Sequence, residues 1–317
     1  MKILITPTSL CRDRDNPALE PLRAAGHELR FAETGRPLTA AELVGALPGV
    51  DGVIAGLDEY SAAVFDHASE LKVIARYGVG VDNVDRDAAV AAGVVVTRTP
   101  GANAVAVAEM TIGLAFAAAR GIPRLDAGVR AGQWPRGEGI ELTGRSYGVV
   151  GFGAIGRLVA DRARGLGMRV AAYDPLLPDA VFEAAGVDRA DLDDLLSMSD
   201  VVSVHVPLLP ETHHLLDARR LALLRAGAIV INTARGGLLD EAAALSALEA
   251  GRLHAVAIDV YDTEPPTASV LVGHPRVVST PHSAGHTREA IARMAQGAVA
   301  DVLTVLRGER SPNAVTP

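Results

Sequence analysis

Short runs of apolar, mostly β-branched residues recur along the chain, most of them bounded by Gly, Pro, Asp or Thr and separated by longer Ala- and Leu-rich stretches. KILIT (2–6), DGVIAG (51–56), LKVIAR (71–76) and GVVVT (93–97) form a first series. YGVVG (147–151), RVAAYD (169–174), VVSVHVP (201–207), AIVINT (228–233), AVAIDVY (255–261) and VVST (277–280) form a second. Runs this short, with little polar alternation, predict strands buried on both faces. Their alternation with helix-length segments predicts parallel sheets joined by right-handed crossovers. The expected fold class is therefore α/β, with two doubly wound parallel-sheet domains. After the first series, Pro100-Gly101 marks a turn, and Asn103 stands where it can cap a long helix running to Arg120. The last helical stretch, 287–306, has no strand of its own to cover in the second series and can return to the first domain. The closing SPNAVTP reads as a frayed end.

Composition narrows the function classes. A length of 317 residues suits two domains, and 49% hydrophobic with 21% charged residues excludes a disordered or fibrous chain. The formal charge of −8 argues against nucleic acid as a partner, while leaving room for a local cationic pocket that takes a small anion. A single cysteine, Cys11, forms no internal disulfide and points to a reducing compartment, the cytoplasm. The opening MKILITPTSL is too short for a secretion signal and is interrupted by Pro7. The longest apolar stretch, 104–119, carries Glu109 in its middle, so no membrane partner is expected.

The most informative segment is Gly151-Phe152-Gly153-Ala154-Ile155-Gly156, which follows an apolar run and opens an amphipathic helix. Gly151 permits the tight turn, Gly153 lets the main chain approach a pyrophosphate, and Gly156 allows close helix–strand packing. The pyrophosphate would sit at the positive end of the helix that Ala154 and Ile155 begin. The next run ends at Asp174, 18 residues beyond Gly156 and near the offset of an acid that binds ribose hydroxyls. A carboxylate there would repel a 2′-phosphate, and Pro175 rather than an Arg follows it, so NAD is expected in preference to NADP.

Three further groups stand just past the ends of later strands. NTARGGLLDE places Arg235, DVYDTEPP places Glu264 and STPHSAGHT places His282. Their chemistry is coherent for hydride removal from a hydroxy acid. His282 can take the hydroxyl proton. Glu264 can orient the imidazole and favour its cationic form. Arg235 offers a planar fork for a carboxylate. His282 and His286 are four apart, but the segment is not helical in pattern, so no metal site is expected.

Together these motifs resemble the D-isomer-specific 2-hydroxyacid dehydrogenase family over nearly the whole chain, with GFGAIG and Asp174, the Arg-Gly-Gly of NTARGGLLDE, the Glu-Pro of DTEPP and the Pro-His of TPHSAGHT in family order. Within the family, RYGVGVDNVD and ANAVAVAEM look most like the phosphoglycerate dehydrogenase-like branch. The resemblance implies a Rossmann-type NAD domain, 99–286, inserted into a flavodoxin-like substrate domain made of 1–98 and 287–317. It implies a homodimer using the helix after Pro100 and the segment through Gln133-Trp134. It makes Arg235, Glu264 and His282 the catalytic set, and it adds His205, Val206, Pro207 and Thr212 at the adenine edge. Thr233, Ala234, Asp259 and Ala284 would lie near the nicotinamide. The substrate loop would be Arg76, Tyr77, Gly78, Val79 and Gly80, joined by Asn103.

The expected reaction is reversible hydride transfer between NAD and a D-2-hydroxy acid, 3-phosphoglycerate among the candidates. Where several phosphoglycerate enzymes carry an Arg for the phosphate, this chain has Gly56 and Leu57, which would leave a phosphate to Arg76 or the TPTS loop (6–9). The alternatives are a hydroxypyruvate, glyoxylate or sugar-acid reductase of the same family, or a non-catalytic NAD-sensing corepressor-like scaffold. A chain of this length also implies no serine-sensing regulatory domain.

Overall fold

The valine- and isoleucine-rich runs are strands, and they sort into two all-parallel sheets. The computed structural model describes residues 1–316 and divides the chain into an outer unit, Met1–Asn103 with 286–316, and an inner unit, Ala104–Gly285.

In the outer unit the strands are β1 (Lys2–Ile5), β2 (Glu28–Phe31), β3 (Gly52–Ala55), β4 (Val73–Arg76) and β5 (Val95–Thr97), in the order β2-β1-β3-β4-β5. Every residue of β3 and β4 is buried, which is why these runs show no polar alternation. The helix Arg288–Leu306, from the far end of the chain, lies against β3 and β4, as its lack of an inner-unit strand suggested. Its start is capped by the Thr287 hydroxyl, which accepts from Ala290 N–H at 3.1 Å. Strand β2 is absent from the sequence reading because ELRF, on the sheet's edge, has no buried residue.

Two sequence expectations are corrected in this unit. The tail is ordered rather than frayed: Val315 N–H donates to Val96 O at 2.8 Å, Arg98 N–H to Asn313 O at 3.2 Å, and Val96 N–H to the Thr316 hydroxyl at 2.9 Å. The buried Asp301 carboxylate holds this arrangement, accepting from Ser311 Oγ at 2.6 Å and Asn313 Nδ2 at 3.1 Å. The tail thereby covers the open edge of β5. The unit also extends past Arg98 to Asn103, because Thr99 N–H donates to Gly78 O at 2.9 Å and Thr99 packs on Gly297, where a Cβ would meet Thr99 Cγ2 at 2.8 Å.

The inner unit carries β6 (Ser146–Val150), β7 (Arg169–Tyr173), β8 (Asp188–Arg189), β9 (Val201–Val204), β10 (Ala228–Asn232), β11 (Leu253–Ile258) and β12 (Val277–Ser279), in the order β12-β11-β10-β9-β6-β7-β8. Alternate residues serve opposite faces. Val149, Ile229, Ile231 and Ala257 join one core with the helices Ala104–Arg120 and Ala154–Gly165. Val150, Val230, Val256 and Ile258 join the other with Leu195, Ala244 and Leu248. The strand order reverses at β6, so the glycine loop that follows β6 stands at the switch point where open α/β sheets bind ligands. The helix Ala104–Arg120 forms as expected, but Asn103 Oδ1 is buried and accepts no hydrogen bond, so the anticipated cap is not made. Among the described residues no single helix is long and apolar enough to cross a membrane.

Candidate active site

At the switch point the three glycines serve three distinct purposes. Gly151 has φ +94°, and a Cβ there would lie 2.8 Å from the His205 carbonyl and from Val206 Cγ1. Gly156 lies so close beneath the turn that a Cβ would be 2.0 Å from Gly151 O. Gly153 instead faces open space, with nothing within 4 Å of a Cβ position. A bare main chain at the start of the Ala154–Gly165 helix is the cradle a pyrophosphate requires. Asp174 follows β7, and its carboxylate accepts from Phe152 N–H at 2.9 Å and Leu176 N–H at 3.0 Å. It therefore ties the glycine loop to the end of β7 while keeping acceptor capacity for ribose hydroxyls. The residues present fit a dinucleotide.

The rest of the expected cofactor set divides. His205 and Val206 lie directly against Gly151, whereas Pro207 is exposed. The His205 ring is turned inward: Nε2 meets Ser203 Oγ at 2.8 Å, and Nδ1 is shut from water without a partner. Burial lowers its pKa to about 3, so the ring is neutral. Thr212 is committed to its own loop, donating to Pro207 O at 2.7 Å and accepting from Leu209 N–H at 2.7 Å. Thr233 Oγ1 lies 2.9 Å from Thr111 Oγ1, and Ala234 N–H donates to Asn232 Oδ1 at 3.1 Å.

Arg235 follows β10 in a turn organised by Asn232, whose amide also donates to Arg235 O at 2.7 Å. Gly236 comes next and lies flat on the segment after β11, where a Cβ would be 2.0 Å from Tyr261 C. That contact requires glycine, and it brings the Arg235 turn beside the segment bearing Glu264. Asn232 was missed in the sequence because its role depends on the turn it closes.

Glu264 and His282 meet directly. His282 Nδ1 lies 2.8 Å from Oε2 and 3.0 Å from Oε1 of Glu264, with both side chains about 30% exposed. Tyr261 N–H donates to Glu264 Oε1 at 3.2 Å. Burial pushes the Glu264 carboxyl up, but the His282 hydrogen bond and charge, the Tyr261 N–H and the Arg235 charge outweigh it and hold the group below its usual value. His282 occupies the left-handed region at φ +49°. Asp259 stabilises that geometry: its carbonyl accepts from His282 N–H at 2.7 Å. Its carboxylate accepts from the Thr280 hydroxyl, from Ser283 N–H at 2.9 Å and from Ala284 N–H at 2.8 Å. Asp259, expected beside a nicotinamide, thus holds the 280–284 loop in this structure, and Ala284 is buried within it.

The expected substrate loop, in the outer unit, behaves differently from its sequence reading. Arg76 is 5% exposed, and its guanidinium donates to Ala55 O at 3.2 Å, Tyr77 O at 2.9 Å and Asn83 Oδ1 at 3.4 Å. It clamps the loops after β3 and β4 together from inside the unit. Tyr77 is also buried, with its hydroxyl between Ser9 Oγ and Ile291 O, each at 3.3 Å. Gly78 turns the chain at φ +149°. Among the described residues, Val79 N–H and Gly80 N–H make no hydrogen bond within the chain.

Residues 112–284 match the model of the D-isomer specific 2-hydroxyacid dehydrogenase, NAD binding domain. The chain is 40% identical over 292 residues to a D-3-phosphoglycerate dehydrogenase of Methanocaldococcus jannaschii, covering 91% of this chain and 56% of the relative. It is 43% identical over 277 residues to one of Mycobacterium tuberculosis, covering 86% and 52%. The chain spans about half the length of the curated relatives it matches. Among solved structures, the TT0316 protein of Thermus thermophilus superposes with a TM-score of 0.87 at 39% identity over 100% of both chains. Apo D-lactate dehydrogenase of Escherichia coli does so with 0.87 at 32% identity, again over 100% of both. With its glycine cradle, its strand-end acid and this likeness along its whole length, the chain belongs to the D-isomer-specific 2-hydroxyacid dehydrogenase family, and its inner unit is that family's NAD-binding domain.

Proposed function

We propose that the protein interconverts a small D-2-hydroxy acid and its 2-oxo acid with NAD. The observation that carries this reading is the His282–Glu264 pair, 2.8 Å apart, beside the turn that bears Arg235. Bound NAD supplies the acceptor for the hydride that leaves the substrate carbon. In the oxidising direction, the imidazole of His282 takes the hydroxyl proton at Nε2, since Nδ1 is engaged by the carboxylate. Glu264 stays anionic, keeps the ring oriented and stabilises the imidazolium that forms. Arg235 offers its guanidinium to the substrate's carboxylate and polarises the adjacent carbonyl oxygen. In the reverse direction the same imidazolium returns the proton to the carbonyl oxygen.

The relatives named D-3-phosphoglycerate dehydrogenase and D-lactate dehydrogenase bracket the substrate range to be tested. The test follows NADH absorbance over a panel holding pyruvate, glyoxylate, hydroxypyruvate and 3-phosphohydroxypyruvate. Turnover of at least one acid is expected; a chain that binds NADH yet reduces none of them is a scaffold and not an enzyme. A homodimer suits the exposed apolar residues Ile122, Val129 and Trp134, the last 78% exposed. Light scattering should return twice the chain mass, and a single chain mass removes the dimer. The single cysteine suits the cytoplasm.

A further inference from the structure

Resting on the dehydrogenase reading above, we propose that Asn232 is a positioning residue for the reaction, its side-chain amide setting the direction in which Arg235 presents its guanidinium. The chain on either side of Arg235 is anchored separately. Upstream, β10 ends at Asn232, whose carbonyl accepts from Asp259 N–H at 3.0 Å. The Asp259 carbonyl accepts in turn from His282 N–H at 2.7 Å, so one line of main-chain bonds indexes the turn after β10 to the loop that bears the imidazole. Downstream, residues 237–240 run beside 214–216. His214 N–H donates to Gly237 O at 2.6 Å, Leu216 N–H to Leu238 O at 2.9 Å, and Asp240 N–H to Leu216 O at 3.2 Å. Gly236 is pressed on the segment after β11, where a Cβ would lie 2.0 Å from Tyr261 C and 2.3 Å from Asp262 N.

Between these anchors stand Thr233, Ala234 and Arg235. The Thr233 hydroxyl lies 2.9 Å from Thr111 Oγ1. Asn232 brackets the other two: its Oδ1 accepts from Ala234 N–H at 3.1 Å, and its Nδ2 donates to Arg235 O at 2.7 Å. Arg235 O also accepts from Leu238 N–H at 3.3 Å. One amide bond sets the peptide entering Ala234 and the other the peptide leaving Arg235. Together they fix how the extended backbone at Arg235, φ −149° and ψ 144°, projects its side chain. Arg235 Nη1 donates to Ala234 O at 2.6 Å, so the segment that Asn232 brackets steadies the head group as well. The task needs an acceptor and a donor on one short side chain. Asn has both, whereas an ionised Asp has acceptors only and would set a carboxylate against Arg235 O. Asn232 is 1% exposed, so a bond lost here is not replaced by bulk water. A bidentate grip on a carboxylate depends on the guanidinium plane as well as its charge, so a swung turn loses the fork while the charge remains.

The experiment is a double-mutant cycle on the full chain, reading kcat/KM with NADH for the panel acid that the unaltered protein reduces fastest. Asn232→Asp alone should lower it by about tenfold or more, within the roughly 10²-fold that a misplacement of about 1 Å costs. In an Arg235→Lys background, where the fork is already gone, the same change should cost less than about threefold, because residues that act as a unit are not additive. Equal losses in the two backgrounds would give Asn232 a purely structural role and overturn the proposal. So would an Asn232→Asp chain with unaltered kcat/KM, or an Arg235→Lys chain as active as its parent. Asn232→Ser runs the same cycle without a new buried charge and decides the matter if the Asp variant does not fold. An unaltered protein that reduces none of the acids fails the dehydrogenase reading itself, whereas an additive cycle in an active protein overturns only the role of Asn232.

Discussion

His282 sits at φ +49°, a conformation that costs a residue with a side chain about 1–3 kcal/mol. Four hydrogen bonds from the 280–284 loop to Asp259 offset that cost and aim the ring at Glu264. Removing the ring should be expensive in rate: His282→Ala is expected to lower kcat by roughly 10²–10⁴-fold, the usual worth of a positioned acid–base group. Wild-type turnover in that variant would take His282 out of the reaction. Glu264→Gln keeps an acceptor but loses the charge that favours the imidazolium. The limb of the kcat/KM profile governed by that ring should move to lower pH, and an unmoved limb would dissolve the pairing. Because Glu264 titrates below its ordinary 4.5 in the folded chain, its contribution to stability is complete above that pH and fades only as pH falls through the lowered value.

His205 makes the opposite contribution. Its ordinary value of 6.5 falls to about 3 on burial, so below pH 6.5 the unfolded chain takes up a proton that the folded chain refuses until about pH 3. Stability is lost progressively across that window. His205→Gln, which can keep a partner for Ser203, should flatten the decline of melting temperature between pH 6.5 and 4. An identical decline in the variant would show that the ring takes its proton without opening the fold.

At the scale of elements, every strand visible in the sequence has at least one buried residue, and the two missed, β2 and β8, are edge strands with none. These two edge strands lack an apolar run because little packs on them, whereas the edge strands β5 and β12 keep buried valines and were visible. The tail was misread for a related reason. Its polar residues find partners inside the outer unit, Ser311 and Asn313 on Asp301, and no local pattern announces a partner ten residues away in a helix. Asp301→Ala would leave both without an acceptor and is expected to cost about 1–3 kcal/mol. Thermal melts, with faster amide exchange at Val96 and Val315, would register it; unchanged exchange would mean that the tail holds without Asp301.

For the whole molecule, the glycine cradle and Asp174 predict which dinucleotide stabilises the fold. NAD at about 100 times its Kd should raise the unfolding free energy by about 2.7 kcal/mol, and NADP at the same concentration should do markedly less. Asp174 also accepts from Phe152 N–H and Leu176 N–H, so Asp174→Ala should lower stability in the absence of either dinucleotide. The informative quantity is therefore the difference between the two ligand-induced shifts, which should shrink in the variant. Equal shifts in the unaltered protein would remove Asp174 as the selecting group.

The pattern of residues determined the parallel α/β class, the division into two units and the glycine loop at the switch point, and it singled out Glu264 and His282, which the fold brings into contact. Each of these rests on a local run or on a spacing along the chain. Only the tertiary structure decided what Arg76, Asp259, Asn103 and the tail do. Arg76 looked like a strand-end charge until the order of the parallel strands set Ala55 and Asn83 around its guanidinium. Asp259 stood out in the sequence only as a strand-end acid; that its carboxylate also holds the loop after β12 is visible only in the fold. A sequence encodes the period of its strands, but the order in which they assemble, and hence which loop ends become neighbours, is settled only when long-range packing brings distant carbonyls and carboxylates within hydrogen-bonding reach.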